Sequence, residues 1–253
     1  MARPPLSVCI ITLNEEENLP DCLASVSFAE EIVVVDSGST DRTREIAAAA
    51  GARVVERPFE GHIEQKNFAL DQASHDWVLC LDADERPTPE LAAAIGRALA
   101  NPGDRIAFDM PRLTRHLGRW IRHGGWYPDR KTRLFRRSLG RWGGRNPHDR
   151  VEVKGSVGHL DGDLHHLSYR DLSAHLRQID FFTTISAKEK HARGERFRLH
   201  RLVLRPAGKF LRMYVLRGGF LDGTAGFILA VTGAYYVHLK YAKLREREQS
   251  GNA

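Results

Sequence analysis

The stretch Leu79-Cys80-Leu81-Asp82-Ala83-Asp84-Glu85 decides the fold of this chain. An apolar run over residues 77–81 ends in two carboxylates one residue apart. In an extended chain residues i and i+2 point the same way, so Asp82 and Asp84 can aim both side chains into one crevice. Two anions facing one spot repel unless a cation lies between them. A divalent ion carrying a diphosphate meets that need, because Mg²⁺ takes one or two carboxylates plus phosphate oxygens and waters. The same residues also read as an acidic strand-to-helix turn, with Thr88 capping a helix, Pro89 at its first position and Glu90 in its first turn. Asp-x-Asp is short and common, and its spacing alone leaves both readings open.

Upstream of that stretch the hydrophobic period alternates. Residues 6–13 form a continuous apolar run, the pattern of a strand buried on both faces. Asn14 then reads as a helix cap, with Glu17 at the position a capping box uses. Residues 31–36 make a second strand that ends in Asp36-Ser37-Gly38-Ser39-Thr40-Asp41, and an alanine-rich helix follows to Ala50 with Gly51 just past its end. A short strand over 52–57, a helix over 63–73, the strand at 77–81 and a helix over 88–99 complete the series. Strand–helix alternation with short loops marks a mostly parallel sheet with flanking helices. Ligands of such sheets bind outside the carboxyl ends of the strands. Asn14, Asp36 and Asp82 all lie at such ends.

Composition shifts after Gly103. Residues 105–150 hold thirteen Lys or Arg against three acids, with Trp and Gly interleaved. Alternation returns in Thr132-Arg133-Leu134-Phe135 and Val151-Glu152-Val153, so this half should add mixed or antiparallel strands. Residues 172–192 read as a helix with an apolar face of Leu172, Leu176, Ile179, Phe182 and Ile185. Residues 198–217 mix large apolar side chains with six cations, and an apolar segment over 225–237 follows, shorter than the roughly twenty residues a spanning helix needs. That combination fits a helix pair lying on an anionic membrane surface, or equally a helical hairpin packed on the core. Three parts are expected: 1–103 as a ligand-binding α/β half, 104–197 as a basic half of mixed strands, and 198–253 as a helical, membrane-associating segment.

The whole chain has 253 residues, 42% of them hydrophobic and 28% charged, with a net charge of +6. Such a chain can bury a substantial core, and its charge points to an anionic partner. Cys9, Cys22 and Cys80 show no metal-type pairing and read as small core hydrophobes in a reducing compartment. The apolar run from Leu6 stops at Asn14 and three glutamates, which is not a signal-peptide pattern; a cytoplasmic protein is expected.

Several residues carry two readings. Asp36 either accepts hydrogen bonds from a base or ribose or builds an Asx turn. Asn14 and Glu15 divide between ligand contact and helix capping. Lys66, in Gln65-Lys66-Asn67, either meets phosphate or is solvated. His148-Asp149 puts a general base in a loop after Asn146-Pro147, and His165-His166 offers an imidazole to a metal.

Taken in order, Ser7-Val8-Cys9-Ile10-Ile11-Thr12-Leu13-Asn14-Glu15, Val35-Asp36-Ser37-Gly38-Ser39-Thr40-Asp41, Gln65-Lys66-Asn67 and Leu81-Asp82-Ala83-Asp84-Glu85 resemble the family-2 glycosyltransferases. Pro147-His148-Asp149, residues 160–169 and Gly219-Phe220-Leu221-Asp222-Gly223 are similar to the bacterial branch that includes lipopolysaccharide inner-core β-glucosyltransferases. The resemblance implies a GT-A fold, a nucleotide-sugar donor (a UDP-sugar first), a divalent Mg²⁺ or Mn²⁺ and inversion at the anomeric carbon. On that resemblance Thr12, Asn14, Glu15, Asp36, Lys66 and Asp82 line the donor pocket, Asp84 and His166 hold the metal, and Asp149 is the catalytic base. The branch often has glutamate after histidine where this chain has Asp149, one methylene shorter. A glycolipid acceptor at the inner face of the cytoplasmic membrane is the expected partner. Rival readings are a polyprenyl phosphate acceptor, a nucleotidyltransferase, and a basic RNA-binding module. Against the last stand the absence of an RNA-recognition motif and the acids at the fourth strand's end, which repel phosphate, so no nucleic acid is expected.

Overall fold

The computed structural model describes residues 3–145, 148–169 and 171–250. In chain order the elements are β1 (Leu6–Thr12), α1 (Leu19–Ser25), β2 (Glu31–Asp36), α2 (Thr43–Ala49), β3 (Arg53–Glu56), α3 (His62–Gln72), β4 (Trp77–Asp82), β5 (Glu85–Pro87), α4 (Pro89–Ala100), β6 (Arg105–His116), β7 (Arg119–Trp120), β8 (Asp129–Arg136), β9 (Gly140–Arg145), β10 (His148–Val153), β11 (Ser156–His159), β12 (Leu164–His166), α5 (Leu172–Ala192), α6 (Leu199–Leu211) and α7 (Gly223–Ser250). They form two compact units. One comprises Met1–Leu113 with Asp129–Leu167, the other Thr114–Pro128 with Ser168–Ala253.

The first unit is built on a sheet of order β3-β2-β1-β4-β8-β6-β12-β5. Its β3-β2-β1-β4 half is parallel, and β8 then enters antiparallel to both β4 and β6. Alternation along β1 and β4 splits the core in two, as a strand covered on both faces requires. Val8, Ile10, Leu79 and Leu81 pack with Leu19, Leu23, Leu91 and Ile95 of α1 and α4. Cys9, Val78 and Cys80 pack on the opposite face with Ala69, Leu70 and Trp142. Register pairs Thr12 with Asp36 and Ile11 with Asp82, so β1, β2 and β4 end along one edge. The three cysteines are free and buried.

The second unit pairs α7 with α5 and α6 around Ile121, Met213, Ala225, Leu229 and Ala230. A π-helical turn over Arg212–Leu216 and a 3₁₀ turn over Gly219–Asp222 join α6 to α7.

Several expectations need correction. Asn14 does not cap α1, whose N-cap is Asn18; Asn14 takes a left-handed φ of 55° and its Oδ1 accepts from the Thr40 amide at 2.9 Å. Its short polar side chain tolerates that conformation and crosses to the β2 loop. The compositional break at Gly103 is not a structural boundary, because β6 and β8 extend the sheet begun by β4. Nor is residue 197 a boundary, since α5 shares a unit with α6 and α7. α5 starts and stops where the periodicity puts it, but its buried residues are His175, Ile179, Thr183 and Ala187. Leu176 stays exposed. The apolar segment 225–237 belongs to a helix of 28 residues, and the helical run Gly219–Ser250 is long and apolar enough to cross a membrane by length and composition.

Candidate functional site

At the carboxyl end of β1, Thr12 is buried and its Oγ1 has no hydrogen-bond partner among the described residues. The loop beyond it is fixed by donated amides: Asn14 N reaches Ser39 Oγ at 2.8 Å and Glu15 N reaches Thr43 Oγ1 at 2.8 Å. Glu15 Oε2 accepts from Asn18 Nδ2 at 2.7 Å. Asp36 is fully buried; its Oδ1 accepts from the amides of Gly38 and Ser39 at 3.0 and 2.8 Å, and its Oδ2 from the Ser39 hydroxyl. It therefore builds the Asx turn. No oxygen of its side chain is exposed for a direct contact with base or ribose.

Gln65-Lys66-Asn67 works as three separate devices on α3. Gln65 Nε2 donates to Ser37 Oγ and to the Arg57 carbonyl. Asn67 pairs with the backbone of Trp142, donating to its carbonyl at 2.9 Å and accepting from its amide at 3.0 Å. That clamp sets the indole beneath Lys66, whose ammonium lies 4.5 Å from the ring centroid, a favourable cation–π placement. Lys66 is thus not a solvated helix lysine: its side chain is 7% exposed and it bridges Asp82 at 3.0 Å and Asp149 at 2.8 Å.

Asp82 carries a second protein cation, Arg133, at 3.1 Å. Burial alone would raise its pKa, but Lys66 and Arg133 outweigh that and hold it well below the usual carboxylate range. Lys66 and Arg133 balance the charge of Asp82, so that carboxylate does not by itself ask for a metal. Arg133 is buried and binds Glu85 at 2.7 Å. Burial works against its charge, and the carboxylates of Glu85 and Asp82 more than restore it. Glu85 is fully buried, also meets Arg112 at 3.4 Å, and accepts from the Asp82 amide at 3.2 Å. Glu85, Asn67 and Arg133 stand inside the motifs quoted from the sequence, but no site role was assigned to them or to Arg112 and Trp142. The one available signal was Arg133 inside the apolar alternation of β8.

The pair intended for a metal comes together through strand register. β12 runs antiparallel to β5 with His166 opposite Glu85, and the Leu167 amide extends the ladder to the Asp84 carbonyl at 3.0 Å. His166 Nε2 consequently lies 3.3 Å from Asp84 Oδ2. No group of three or more His, Cys, Asp or Glu able to hold a metal occurs among the described residues. A two-ligand site fits an ion that takes its remaining oxygens from a diphosphate and water; the carboxylate suits Mg²⁺ and Mn²⁺ alike, and the imidazole tilts the pair toward the softer Mn²⁺.

Asp149 lies on β10, opposite Gly144 of β9, and not in a loop. Asn146 and Pro147 fall outside the described residues, as does the His148 side chain. Lys66 engages Asp149 Oδ2, and no described residue bonds Oδ1. Asp149, Lys66, Asp82, Arg133 and Trp142 line one cavity of about 510 Å³, where cations outnumber acids six to two. Part of that charge is already committed, Arg112 to Asp129 at 2.7 Å and Lys131 to Asp129 at 3.0 Å. What remains is a polar cavity with an accessible carboxylate beside fixed cations, the equipment for moving a proton next to a phosphate leaving group.

Comparison with known proteins identifies the family. Residues 7–153 match the family model for glycosyl transferase family 2, a span that includes Thr12, Asp36, Lys66, Asp82, Asp84 and Asp149 but not His166. The lipopolysaccharide core biosynthesis glycosyltransferase LpsC of Rhizobium meliloti is 34% identical over 96% of this chain and 93% of its own. A glycosyltransferase of Rickettsia typhi is 30% identical over 95% of this chain and 87% of its own. Among solved structures, glucosyl-3-phosphoglycerate synthase from Mycobacterium tuberculosis, with Mn²⁺, UDP-glucose and phosphoglyceric acid, is 29% identical over 45% of each chain with a TM-score of 0.38. The chain belongs to glycosyl transferase family 2 and is a glycosyltransferase of the GT-A fold.

Proposed function

We propose that this enzyme transfers a sugar, with inversion, from a nucleoside-diphosphate donor to a lipopolysaccharide-core or related envelope glycan. The observation that carries the reading is the Lys66 bridge, which ties Asp82 at the end of β4 to Asp149 on β10 within one cavity. Asp149 takes the proton from the acceptor hydroxyl; the freed oxygen attacks the anomeric carbon as the bond to the diphosphate oxygen breaks. Lys66 and Arg133 stand beside the departing charge, and pre-placed cations of this kind lower such barriers. The unsatisfied Thr12 hydroxyl and the fixed Asn14–Glu15 loop support a nucleotide pocket at the β1 edge. Asp84 and His166 would hold a divalent ion, which when bound supplies charge neutralisation to the leaving diphosphate. The arginine-rich cavity favours a phosphorylated or carboxylated acceptor, since guanidinium binds such groups bidentately. The LpsC relative, named for core biosynthesis, supports the same acceptor class.

Peripheral membrane attachment completes the reading. α6 buries none of its residues. Leu199, Val203, Leu204 and Leu211 are all more than half exposed, while Arg201, Arg205 and Lys209 follow at helical spacing on another side. An amphipathic, basic helix of this kind lies in an anionic interface.

The test is a panel of UDP-, GDP- and ADP-sugars with and without Mn²⁺, read as nucleotide release in the presence of extracted core acceptor, with the product's anomeric configuration assigned by NMR. A UDP-sugar should be consumed with inversion. Absence of turnover with every donor, or retention in the product, refutes the proposal.

A further inference from the structure

Three helices of the second unit bring cations to one tyrosine. Tyr241 of α7 is fully buried. Around its ring centroid stand the Arg205 guanidinium of α6 at 5.4 Å, the Lys190 ammonium of α5 at 5.6 Å and the Lys240 ammonium of α7 at 5.6 Å. Lys240 also lies 5.5 Å from the Tyr236 centroid, and Arg205 Nη1 donates to the Tyr241 hydroxyl. Aromatic rings attract cations, but cations gathered at one ring repel each other. Pro206 explains why α6 is held here. A proline inside a helix cannot donate to the carbonyl four residues back, which in α6 is that of Leu202. His238 of α7 places Nδ1 3.3 Å from that oxygen, pinning the two helices together next to Arg205.

The carboxylate at this cluster, Glu195, is already engaged, 2.7 Å from Lys190 and 3.5 Å from Arg201. Among the described residues neither Arg205 nor Lys240 forms an ion pair, and the hydroxyl of Tyr241 is the one hydrogen-bond partner of the Arg205 side chain. Burial first, then Lys190 and Arg205, push the Lys240 pKa down, and Glu195 offsets only part of that. Lys209, one turn on from Arg205, is pushed down in the same way, by burial and then by Arg217 and Arg212. Arg205 is exposed, so an anion can reach it from solvent. On the same helix Leu199, Val203 and Leu204 are 67%, 59% and 65% exposed.

We propose that Arg205 and Lys240 together bind the phosphate of a membrane lipid, a phosphomonoester or diphosphate headgroup, while Leu199, Val203 and Leu204 enter the acyl layer. The anion takes the place of the carboxylate that these two cations lack. The guanidinium fork grips phosphate oxygens and the ammonium adds a point charge beside it. A phosphomonoester carries about −1.5 to −2 at neutral pH, which suits a pair of cations better than the single charge of a phosphodiester. The apolar side chains have no work at a site for a free anion, and large exposed apolar groups next to cations are what a lipid surface pairs with. This rests on the membrane-facing reading of α6 and not on the donor chemistry.

The experiment is co-sedimentation of the full chain with phosphatidylcholine vesicles doped with phosphatidic acid, against vesicles doped with phosphatidylserine to the same surface charge. Phosphatidic acid should be preferred. Lys240→Gln and Arg205→Gln should each weaken that binding about tenfold, the scale of a lost charge-assisted contact, and erase the preference, while the exposed control Arg196→Gln should keep it. Lys240→Gln relieves repulsion, so its melting temperature should hold or rise as lipid binding falls. Arg205→Gln also gives up the bond to Tyr241; should it fail to fold by circular dichroism, Lys240→Gln decides alone. Equal binding to both lipids, or a preference that survives in Lys240→Gln, overturns the headgroup site and leaves the membrane-facing reading standing. Binding to neither lipid overturns both. Titration with inorganic phosphate separates the sources: binding as tight as to phosphatidic acid vesicles, and lost in Lys240→Gln, assigns the site to a free phosphate and overturns the lipid assignment. UDP affinity, measured in every variant, should not move; its absence in the wild type would refute the transferase site and leave the lipid result standing.

Discussion

Lys66 Nζ lies 2.8 Å from Asp149 Oδ2, and the same ammonium reaches Asp82 Oδ1 at 3.0 Å. One buried cation therefore serves the end of β4 and the β10 strand together. Lys66→Met should leave two carboxylates without their shared partner and cost about 3 kcal/mol, the usual scale for breaking a buried pair from one side. Urea denaturation measures this. A Lys66→Met protein as stable as the wild type would show that Arg133 and solvent suffice to hold both acids.

Asp149→Asn keeps the shape and removes proton acceptance. Turnover should fall about 10²- to 10⁴-fold, the range that general-base groups supply, with UDP affinity nearly unchanged. Asp149→Glu, which reaches one methylene further, should retain more activity than the amide. Turnover of the Asn variant at the wild-type rate would remove Asp149 from the base role.

How far this site was legible in the sequence depends on which physical signal was local. β2 and α5 are bounded as their periodicity says, and the Thr88 hydroxyl accepts from the Leu91 amide as an N-cap should. These are short-range facts written into neighbouring residues. Asp36 shows the limit: its position at a strand end was plain, but only the fold reveals that its carboxylate is consumed by Gly38 and Ser39. Arg133 and Glu85 were invisible as a pair because they meet across 48 residues of sequence. The burial of Lys66 depends on Trp142, which arrives from β9 through the Asn67 clamp. Pairings between distant strands carry no sequence period, so the ion network was readable only as a list of charged residues.

The approach of His166 to Asp84, 3.3 Å, makes a separate claim. Mn²⁺ should raise the affinity for UDP in the wild type. Asp84→Ala and His166→Ala should each abolish most of that increase, by about tenfold or more, the scale on which even outer ligand partners act. Both should leave metal-free UDP binding in place. Calorimetric titration decides it, and a full Mn²⁺ effect in Asp84→Ala would move the metal elsewhere.

Two glycines in the helical unit should respond with opposite sign. A Cβ at Gly226 would lie 1.8 Å from the Gly219 carbonyl oxygen, whereas one at Gly208 in α6 meets nothing within 4 Å. Gly226→Ala should destabilise by about 1–3 kcal/mol through overpacking, prying the 3₁₀ turn from α7. Gly208→Ala should stabilise by about 0.5–1 kcal/mol through helix propensity. Thermal melts of both proteins check the pair, and a neutral Gly226→Ala would mean that the turn can shift without cost.

His175 supplies the pH dependence of the same unit. Its ring stacks on Tyr169 at 4.5 Å and meets His116 edge-on at 4.9 Å and Trp126 at 6.3 Å. The Tyr169 hydroxyl is committed to Gln178, and the Asp171 carboxylate caps α5. Burial, and then the neighbouring His116, bring the His175 pKa down to about 4, and burial lowers that of His116 as well. A histidine depressed in the folded state is neutral in both states above about pH 6.5. As pH falls from there toward 4 the unfolded chain takes up the proton first, so stability is lost across that window. Allowing for solvent at the cluster, the loss from His175 is about 2 kcal/mol. His175→Phe, which keeps a flat ring against Tyr169, should flatten the fall between pH 6.5 and 4 in urea titrations. An unchanged slope would place the acid sensitivity of this unit on another group.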